Sequence, residues 1–378
     1  MELSVVIPCL NEEETIGKCL DKASSTLEKN QVSYEIIVAD NGSTDNSIKI
    51  SKTFPKVRVI RVEKKGYGSA LKKGIEHADG KFILMADADD SYDFNDIMKF
   101  LNKTRSGYKL VQGCRFPSGG GEIKEGAMPI SHKIFGNPFL TKIARSIYKI
   151  PFNDIYCGMR CFEKKSYLKN NYFSEGMTFA VENLIKLFNS GIKCTEVPIT
   201  LYKDGRVKNR SHLKTISDGF KTLKLLLICS PKWIYFYPSL ILLLYSLFGL
   251  YSFINENYNI QNLDNLKFLE LIKINFLLII SIQIFSVGIF TSIIAYQTGF
   301  QEKSKIKTIL KFINLKKFLN FTLIFSIFFS LFLFKFLNIS EELKIYVFYN
   351  YFCIVGMVIF NSFFCSLLEM TFKDENKG

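Results

Sequence analysis

The sequence predicts an α/β domain built on a mainly parallel sheet, followed by an α-helical transmembrane region. Up to about residue 207, short apolar runs alternate with charged, amphipathic segments, which is typical of βαβ units with helices on both faces of a sheet. From about residue 236 the chain changes to long Phe/Ile/Leu stretches that are nearly free of charge. Such stretches approach the roughly 20 residues that a helix needs to cross a bilayer. We expect four spans, at about 236–254, 274–297, 318–337 and 345–368.

The elements of the first domain follow from the spacing of its apolar residues. We expect strands at residues 3–8, 34–40, 57–62, 81–86, 109–114 and 193–198. We expect helices at about 15–27, 69–78, 95–105, 133–148 and 178–190. The Gly-rich segment 117–129 is interpreted as an ordinary surface loop or a substrate-gating loop. Ligands of open parallel sheets bind at the carboxyl ends of the strands, so functional residues are expected there.

The composition shift divides the chain into a cytoplasmic domain (1–212), an amphipathic interfacial segment (213–234) and a transmembrane domain (235–378). One side of the interfacial segment carries Leu and Ile, and the other carries Lys221, Lys224 and Lys232, as in a helix that lies on a membrane. The loop between the second and third spans is rich in lysine, which predicts that it is cytoplasmic. We therefore expect a multi-pass protein of the cell membrane with both termini in the cytoplasm and no signal peptide.

Charge and cysteine content exclude several other classes of protein. The formal net charge of +14 suits anionic lipid heads, and no zinc-finger, helix-turn-helix or RNA-binding signature is present, so no nucleic acid partner is expected. Nine cysteines without paired spacing indicate a reducing compartment. With only three histidines in the chain, a zinc site is not expected.

The segment MADADDSYDF (85–94) places four carboxylates, those of Asp87, Asp89, Asp90 and Asp93, directly after a predicted strand. Asp87 and Asp89 stand two residues apart and can approach one cation from the same side. Carboxylate oxygens suit Mg²⁺ or Mn²⁺, which keep some waters and bridge substrate phosphates. The alternative is a polar turn that caps the next helix, with Asp93 or Asn95 as the capping residue.

Five separated motifs occur in a fixed order: VVIPCLNEEETI, IIVADNGSTDNS, KKGYGSALKKGIEHADGKFILMADADDSYDF, QGCRF and DIYCGMRCF. Together they closely resemble the inverting glycosyltransferases of family 2, and more narrowly the dolichyl- and undecaprenyl-phosphate glycosyltransferases. The resemblance covers roughly residues 1–233. It implies a GT-A-type, Rossmann-like fold, a divalent metal (Mg²⁺ or Mn²⁺), a nucleotide-sugar donor and a polyprenyl phosphate acceptor. A homo-oligomer is a further option.

The resemblance also implies the residues that bind the donor. They are Pro8, Leu10, Glu12, Ala39, Asn41, Ala86, Asp87, Ala88, Asp89, Arg206, Arg210 and His212. Asp87 and Asp89 are the implied metal ligands. Family members usually carry aspartate in place of Asn41, which leaves UDP and GDP both open as the nucleotide. They carry lysine in place of His212, and Arg210 is the residue expected to supply the missing charge. Taken alone, Arg206 could equally be a solvated loop cation.

The acceptor side needs cations rather than a base. A phosphate monoester has its second pKa at about 6 and is already a nucleophile at neutral pH. Arg115, His132 and Lys133 are the residues expected to hold it, with Arg145 and Arg160 as further options. We expect Asp87, Asp89 and Arg115 to take part in catalysis, and Asp90 if a hydroxyl acceptor needs a base. Glu182 either orients the acceptor side or is a paired helix carboxylate.

Other activities stay open at this stage. One is a glycolipid synthase with a hydroxyl lipid acceptor, for which Asp90 would be the base. Another is a protein that binds or flips lipid-linked sugars without catalysis. A processive polysaccharide synthase is disfavoured, because the chain lacks the Gln-x-x-Arg-Trp motif and its single tryptophan, Trp233, stands in SPKWIY.

Overall fold

The computed structural model describes residues 1–207, 215–228, 230–257 and 265–301, and the single positions 355, 356 and 359. Two compact units make up the chain, Met1–Leu226 and Leu227–Gly378. Several expectations fall outside the described ranges, namely the spans at 318–337 and 345–368 and the site residues Arg210 and His212.

The first unit is organised around a mixed sheet. Its strands are β1 (Leu3–Cys9), β2 (Tyr34–Asp40), β3 (Val57–Arg61), β4 (Phe82–Met85), β5 (Leu110–Cys114), β7 (Arg160–Glu163) and β8 (Cys194–Pro198). Two further strands, β6 (Glu122–Ile123) and β9 (Thr200–Leu201), form a separate parallel pair. The order in the main sheet is β3-β2-β1-β4-β7-β5-β8, and only β7 runs antiparallel to its neighbours among the described strands. The expected mainly parallel sheet is confirmed.

Helices connect the strands. They are α1 (Ile16–Lys29), α2 (Ser47–Ser51), α3 (Tyr67–Glu76), α4 (Ile97–Arg105), α5 (Asn137–Tyr148), α6 (Lys164–Tyr167), α7 (Phe179–Asn189) and α8 (Thr215–Ile228). Alternating residues of β1 face opposite sides of the sheet, because side chains alternate along a strand. Val5 joins the apolar cluster that α1 covers, whereas Val6 lies against Gly74 of α3. The expectation of helices on both faces is therefore also confirmed.

Two parts of this unit differ from the sequence-based expectation. β7 was not expected as a strand, and it enters the sheet in the antiparallel sense between β4 and β5. The segment 117–129, expected as a loop, begins with a 3₁₀ turn at Pro117–Gly119 and contains β6. Gly121 is needed there, since a Cβ atom would lie 2.1 Å from the carbonyl oxygen of Cys114. Backbone pairing with β9 therefore orders this segment.

The described part of the second unit is helical. Two helices, α9 (Tyr237–Asn257) and α10 (Asn265–Gln297), follow a π-helical turn at Lys232–Phe236. The stretches Lys232–Phe253 and Leu269–Gln297 are long and apolar enough to cross a membrane. They coincide with the first two spans expected from the sequence.

Candidate active site

Those predicted donor-binding residues that the structure describes lie at one edge of the sheet. Since β1, β2 and β4 are parallel, their carboxyl ends meet there, and Pro8 stands beside Ala39 in the β1–β2 register. Ala39, Ala86 and Ala88 are buried. Small side chains at these positions let the backbone of the strand ends line the site. Leu10 follows β1 and is half-buried.

Asp87 lies two residues beyond β4, and its Oδ1 accepts a hydrogen bond from the Tyr67 hydroxyl at 2.8 Å. Burial raises the pKa of Asp87 to about 7, and the negative charge of Asp89 adds to the effect. The Tyr67 hydrogen bond and the charges of Arg115 and Arg206 act in the opposite direction. A carboxylate that is costly to ionise in this way gains strongly from a cation placed beside it.

Asp89 is held from two directions. Its Oδ1 accepts hydrogen bonds from the Ser91 amide at 3.1 Å and the Ser91 hydroxyl at 2.6 Å. Its Oδ2 lies 3.5 Å from Nη1 of Arg206. The guanidinium of Arg206 also binds the buried Glu12, with Nε at 2.9 Å from Oε2. Because the Gly205 amide donates to the Asp89 carbonyl at 2.9 Å, the loop that carries Arg206 is joined directly to the acidic segment.

The other two carboxylates of the acidic segment have separate partners. Asp90 accepts a hydrogen bond from Nζ of Lys22 at 2.7 Å and adopts a left-handed backbone conformation, with φ of 59°. The side chain of Asp93 accepts from the Asn95 amide at 3.0 Å, at the start of a 3₁₀ turn. Asp93 therefore caps the 3₁₀ turn at Phe94–Asp96 that precedes α4, not α4 itself, and Asp90 forms an ion pair.

Arg115 follows β5 and forms a buried, two-pronged ion pair with Asp154. Its Nε lies 2.6 Å from Oδ2 and its Nη2 lies 2.9 Å from Oδ1. The same carboxylate accepts the Arg115 amide at 3.2 Å. The positive charge of Arg115 nevertheless reaches both sides of the site, because it lowers the pKa values of Asp87 and His132.

The other cations predicted to hold the acceptor differ in their exposure. His132 and Lys133 begin the π-helical turn at His132–Gly136, where Lys133 is exposed. Burial, and next the charge of Arg115, lower the pKa of His132, so the free imidazole is expected to be neutral at neutral pH. Arg145 is exposed and donates to the Asn153 side chain at 3.0 Å.

Arg160 is fully buried, contrary to the idea that it meets the acceptor. One of its nitrogens donates to the Ala180 carbonyl at 2.6 Å and to Asn183 at 2.8 Å, and Nε donates to Gln112. Burial lowers the pKa of Arg160 to about 10. A guanidinium with these partners joins β5, β7 and α7 and does not reach a ligand at the surface.

The side chain of Asn41 is used within the protein. Its Nδ2 donates to the carbonyls of Val62 at 3.2 Å and Lys64 at 2.9 Å, and its Oδ1 accepts from the Gly66 amide at 2.7 Å. An aspartate could not donate to the two carbonyls. Asn41 therefore fixes the loop between β3 and α3. Its contact with the nucleotide base stays a prediction.

The carboxylates of Asp87 and Asp89 fit a divalent cation that also binds a substrate. Two carboxylates converge at the end of β4, and their mutual repulsion contributes to the raised pKa of Asp87. No group of three or more acidic, histidine or cysteine ligands occurs in the described part of the chain. Mg²⁺ or Mn²⁺ held by Asp87 and Asp89 would complete its shell with phosphate oxygens and water.

Several residues that shape the site were not singled out from the sequence. Tyr67 contacts Asp87, Asp154 pairs with Arg115, and Lys22 pairs with Asp90. Tyr67 and Asp154 both lie inside the quoted motifs GYG and DIYCGMRCF, so the motifs marked the right segments. Their partners are 20 and 39 positions away in sequence, and only the fold brings them together.

Comparisons with known proteins identify the family of this chain. The family model for glycosyl transferase family 2 matches residues 4–169. The low-salt glycan biosynthesis hexosyltransferase Agl6 of Haloferax volcanii is 35% identical over 62% of this chain and 55% of its own length. The dolichyl-phosphate β-glucosyltransferase of Saccharomyces cerevisiae is 31% identical over 60% of this chain and 73% of its own length.

Among solved structures, glucosyl-3-phosphoglycerate synthase of Mycobacterium tuberculosis, in complex with Mn²⁺, UDP and glucosyl-3-phosphoglycerate, aligns with a TM-score of 0.48. It is 21% identical and covers 60% of this chain and 78% of its own. The chain spans about half the length of the Haloferax relative. The family model and the sequence relatives confirm the resemblance seen in the motifs, and this chain belongs to glycosyltransferase family 2.

Proposed function

We propose that the protein is a membrane-bound, inverting glycosyltransferase that moves a sugar from a UDP- or GDP-sugar to a polyprenyl phosphate. The product would be a lipid-linked monosaccharide for glycan assembly. The observation that carries the proposal is the carboxylate pair of Asp87 and Asp89 at the end of β4, with Arg206 on one side and Arg115 within electrostatic reach. Carboxylates for a metal and cations for two phosphates are the groups that this reaction needs.

On the donor side, the strand ends and the loop of Arg206 provide the binding groups. Glu12 orients Arg206 through a two-pronged contact, so that the guanidinium faces Asp89. A fixed guanidinium is well suited to diphosphate oxygens. A divalent cation held by Asp87 and Asp89 would offset the negative charge that develops on the departing diphosphate.

On the acceptor side, an oxygen of the polyprenyl phosphate attacks the anomeric carbon of the sugar. A new carbon–oxygen bond forms on one face while the bond to the nucleoside diphosphate breaks on the other, and the bonding electron pair leaves with the diphosphate. The configuration at that carbon is thus inverted. Arg115, His132 and Lys133 would hold the attacking phosphate, and a bound dianion would favour the charged form of His132.

The chain also carries features that suit a lipid substrate. Around His132 in the first unit, large apolar side chains are exposed to solvent: Ile130, Ile134, Phe135 and Phe139. Exposed apolar groups beside basic residues are typical of surfaces that contact lipid. In the second unit, α9 and α10 contain stretches able to span a bilayer. We extend this to a multi-pass protein of the cell membrane with cytoplasmic termini and a cytoplasmic catalytic domain.

A donor panel tests the proposal. Membranes that contain the protein are incubated with undecaprenyl or dolichyl phosphate, Mg²⁺ and a series of UDP- and GDP-sugars, and lipid-linked product is measured. We expect product with at least one donor, and none with EDTA or with Asp89→Ala. Asp93→Asn is the matched control, since Asp93 caps a turn in the same segment and should leave activity near wild type. Transfer that survives both EDTA and Asp89→Ala would contradict the mechanism. Movement of lipid-linked sugar without release of nucleoside diphosphate would instead favour a flippase.

Asp90 distinguishes the acceptor classes. Because a phosphate needs no general base and Asp90 is paired with Lys22, we expect Asp90→Asn to keep transfer to polyprenyl phosphate within about tenfold of wild type. The initial rate is measured at saturating donor, with Lys22→Met as the companion variant. A loss of more than about a hundredfold in Asp90→Asn alone would point to a base and therefore to a hydroxyl acceptor.

A further inference from the structure

We propose that the buried Glu182 is a positioning residue for the metal ligand Asp87, acting through residues 173–175 and Tyr67. The inference rests on the proposed function, because it concerns the carboxylate that would hold the metal. It connects a carboxylate in α7 with the acidic segment after β4 through a continuous series of backbone and side-chain contacts.

The series begins with an ion pair that is entirely removed from water. Glu182 and Lys186 are both 0% exposed, and Oε1 of Glu182 lies 2.5 Å from Nζ of Lys186. Two charges buried in this way are tolerated only when hydrogen bonds complete their coordination. Lys186 also donates to the Asn171 carbonyl at 2.5 Å and lies 4.2 Å from the centre of the Phe173 ring.

Glu182 uses its two oxygens to hold the chain that precedes α7. Oε1 accepts the Phe173 amide at 3.1 Å and Oε2 accepts the Ser174 amide at 2.8 Å. A charged acceptor of two successive amides fixes the path of the backbone, since such bonds are stronger than bonds between neutral groups. Glu175 follows Ser174 directly in the chain, at the end of this short segment.

The Glu175 carbonyl meets the first turn of α3. It accepts the Ser69 amide at 3.0 Å. Gly66 packs so closely that a Cβ atom would lie 2.3 Å from the same carbonyl oxygen, and its φ of +131° suits glycine alone. On the opposite side, Asn41 accepts the Gly66 amide. The turn that carries Tyr67 is thus held between Asn41 and the segment 173–175.

Tyr67 completes the series, because its hydroxyl donates to Oδ1 of Asp87 at 2.8 Å. This bond sets the rotation of the carboxylate and occupies one oxygen. Residues that hydrogen-bond to a metal-binding carboxylate hold it in the orientation that the metal needs. The loss of such a residue typically lowers metal affinity by about 10-fold to 100-fold. A shift of the α3 turn would move the Tyr67 hydroxyl and release Asp87.

The test is a double-mutant cycle on metal binding in the full-length protein in detergent. Dissociation constants for Mn²⁺ are measured by electron paramagnetic resonance for wild type, Glu182→Gln, Tyr67→Phe and the double variant. We expect each single variant to bind Mn²⁺ about tenfold more weakly. We expect the double variant to bind no more weakly than Tyr67→Phe, since Glu182 acts through Tyr67. Glu163→Gln is the matched control, because Glu163 also bonds a serine and a lysine but lies on β7 outside this series.

A merely structural role gives a different result. Glu182→Gln would then lower the melting temperature while Mn²⁺ affinity stays at the wild-type value, or the two single effects would simply add, and either outcome overturns the inference. Wild-type protein that binds no Mn²⁺ would overturn the proposed function itself. Where Glu182→Gln does not fold, Glu182→Asp takes its place in the cycle, since it keeps the charge beside Lys186 but withdraws the carboxylate from the two amides.

Discussion

Replacing Asp87 with asparagine is expected to reduce sugar transfer by roughly a thousandfold and to stabilise the protein when no metal is present. The two effects share one cause. Burial and the charge of Asp89 make the ionised form of Asp87 costly, and the same site would offer that charge to a cation. Asparagine removes both the cost of ionisation and the proposed metal ligand.

The direction of the pH dependence follows from the pKa. Burial and Asp89 raise the pKa of Asp87 from 3.8 in the ordinary carboxyl to about 7 in the folded protein. Between these values the unfolded chain has already lost a proton that the folded chain keeps, so the free energy of unfolding falls as pH rises. The penalty is absent at low pH and is complete above the folded pKa.

Melting temperatures in EDTA, compared between wild type and Asp87→Asn from about pH 5 to about pH 8, check this prediction. The gain in the variant should grow with pH and level off near neutrality. Asp45→Asn provides a control of opposite sign. Although burial acts the other way, hydrogen bonds from Ser47 and Glu13 lower the pKa of Asp45, so its loss should destabilise at neutral pH. An Asp87→Asn variant that melts below wild type at about pH 8 would contradict the conclusion that the ionised Asp87 destabilises the folded protein.

Asp154→Ala is expected to cost about 3–5 kcal/mol of stability in the first unit, the largest effect of any single replacement considered outside the acidic segment. Removal of the carboxylate leaves the buried guanidinium of Arg115 without its counter-charge. It also deprives the amides of Arg115 and Tyr156 of an acceptor. The cost arises from an uncompensated charge rather than from the loss of a favourable surface contact.

Chemical denaturation of the full chain, monitored by far-UV circular dichroism, measures this loss of stability. Glu2→Gln is the comparison, since Glu2 forms a two-pronged pair with Arg105 at the surface and should cost less than about 1 kcal/mol. Equal destabilisation by the two variants would show that the pair of Arg115 and Asp154 is not the buried, charge-balanced unit described above.

The sequence predicted those parts of the fold that depend on local apolar pattern. β1, β2, β4, β5 and β8 lie within one or two residues of their expected positions. β2, β4 and β5 are buried along their whole length, so their apolar runs are easily recognised in the sequence. β7 was not predicted, because only two apolar residues, Cys161 and Phe162, stand between Arg160 and Glu163. Two-residue strands such as β6 and β9 are too short to show any period.

The sequence predicted those site residues that lie within the recognised motifs. Asp87, Asp89 and Arg115 stand where the carboxyl ends of strands were expected to bring them together. The partners that determine their chemistry were not predictable, because each is a long-range contact. Arg206 meets Glu12 across 194 positions, and Asn41 turns out to bind a neighbouring loop that no pattern in its own segment indicates.

The antiparallel strand β7 has a consequence for the width of the site. It separates β4 from β5, so the ends that carry Asp87 and Arg115 stand two strand spacings apart, about 10 Å. At the level of Asp87 that interval contains Gly158, where a Cβ atom would lie 2.7 Å from Oδ2 of Asp87. The interval is set by the hydrogen-bonded spacing of neighbouring strands. Backbone pairing between the strands, rather than any single side chain, therefore sets the distance between the ends of β4 and β5.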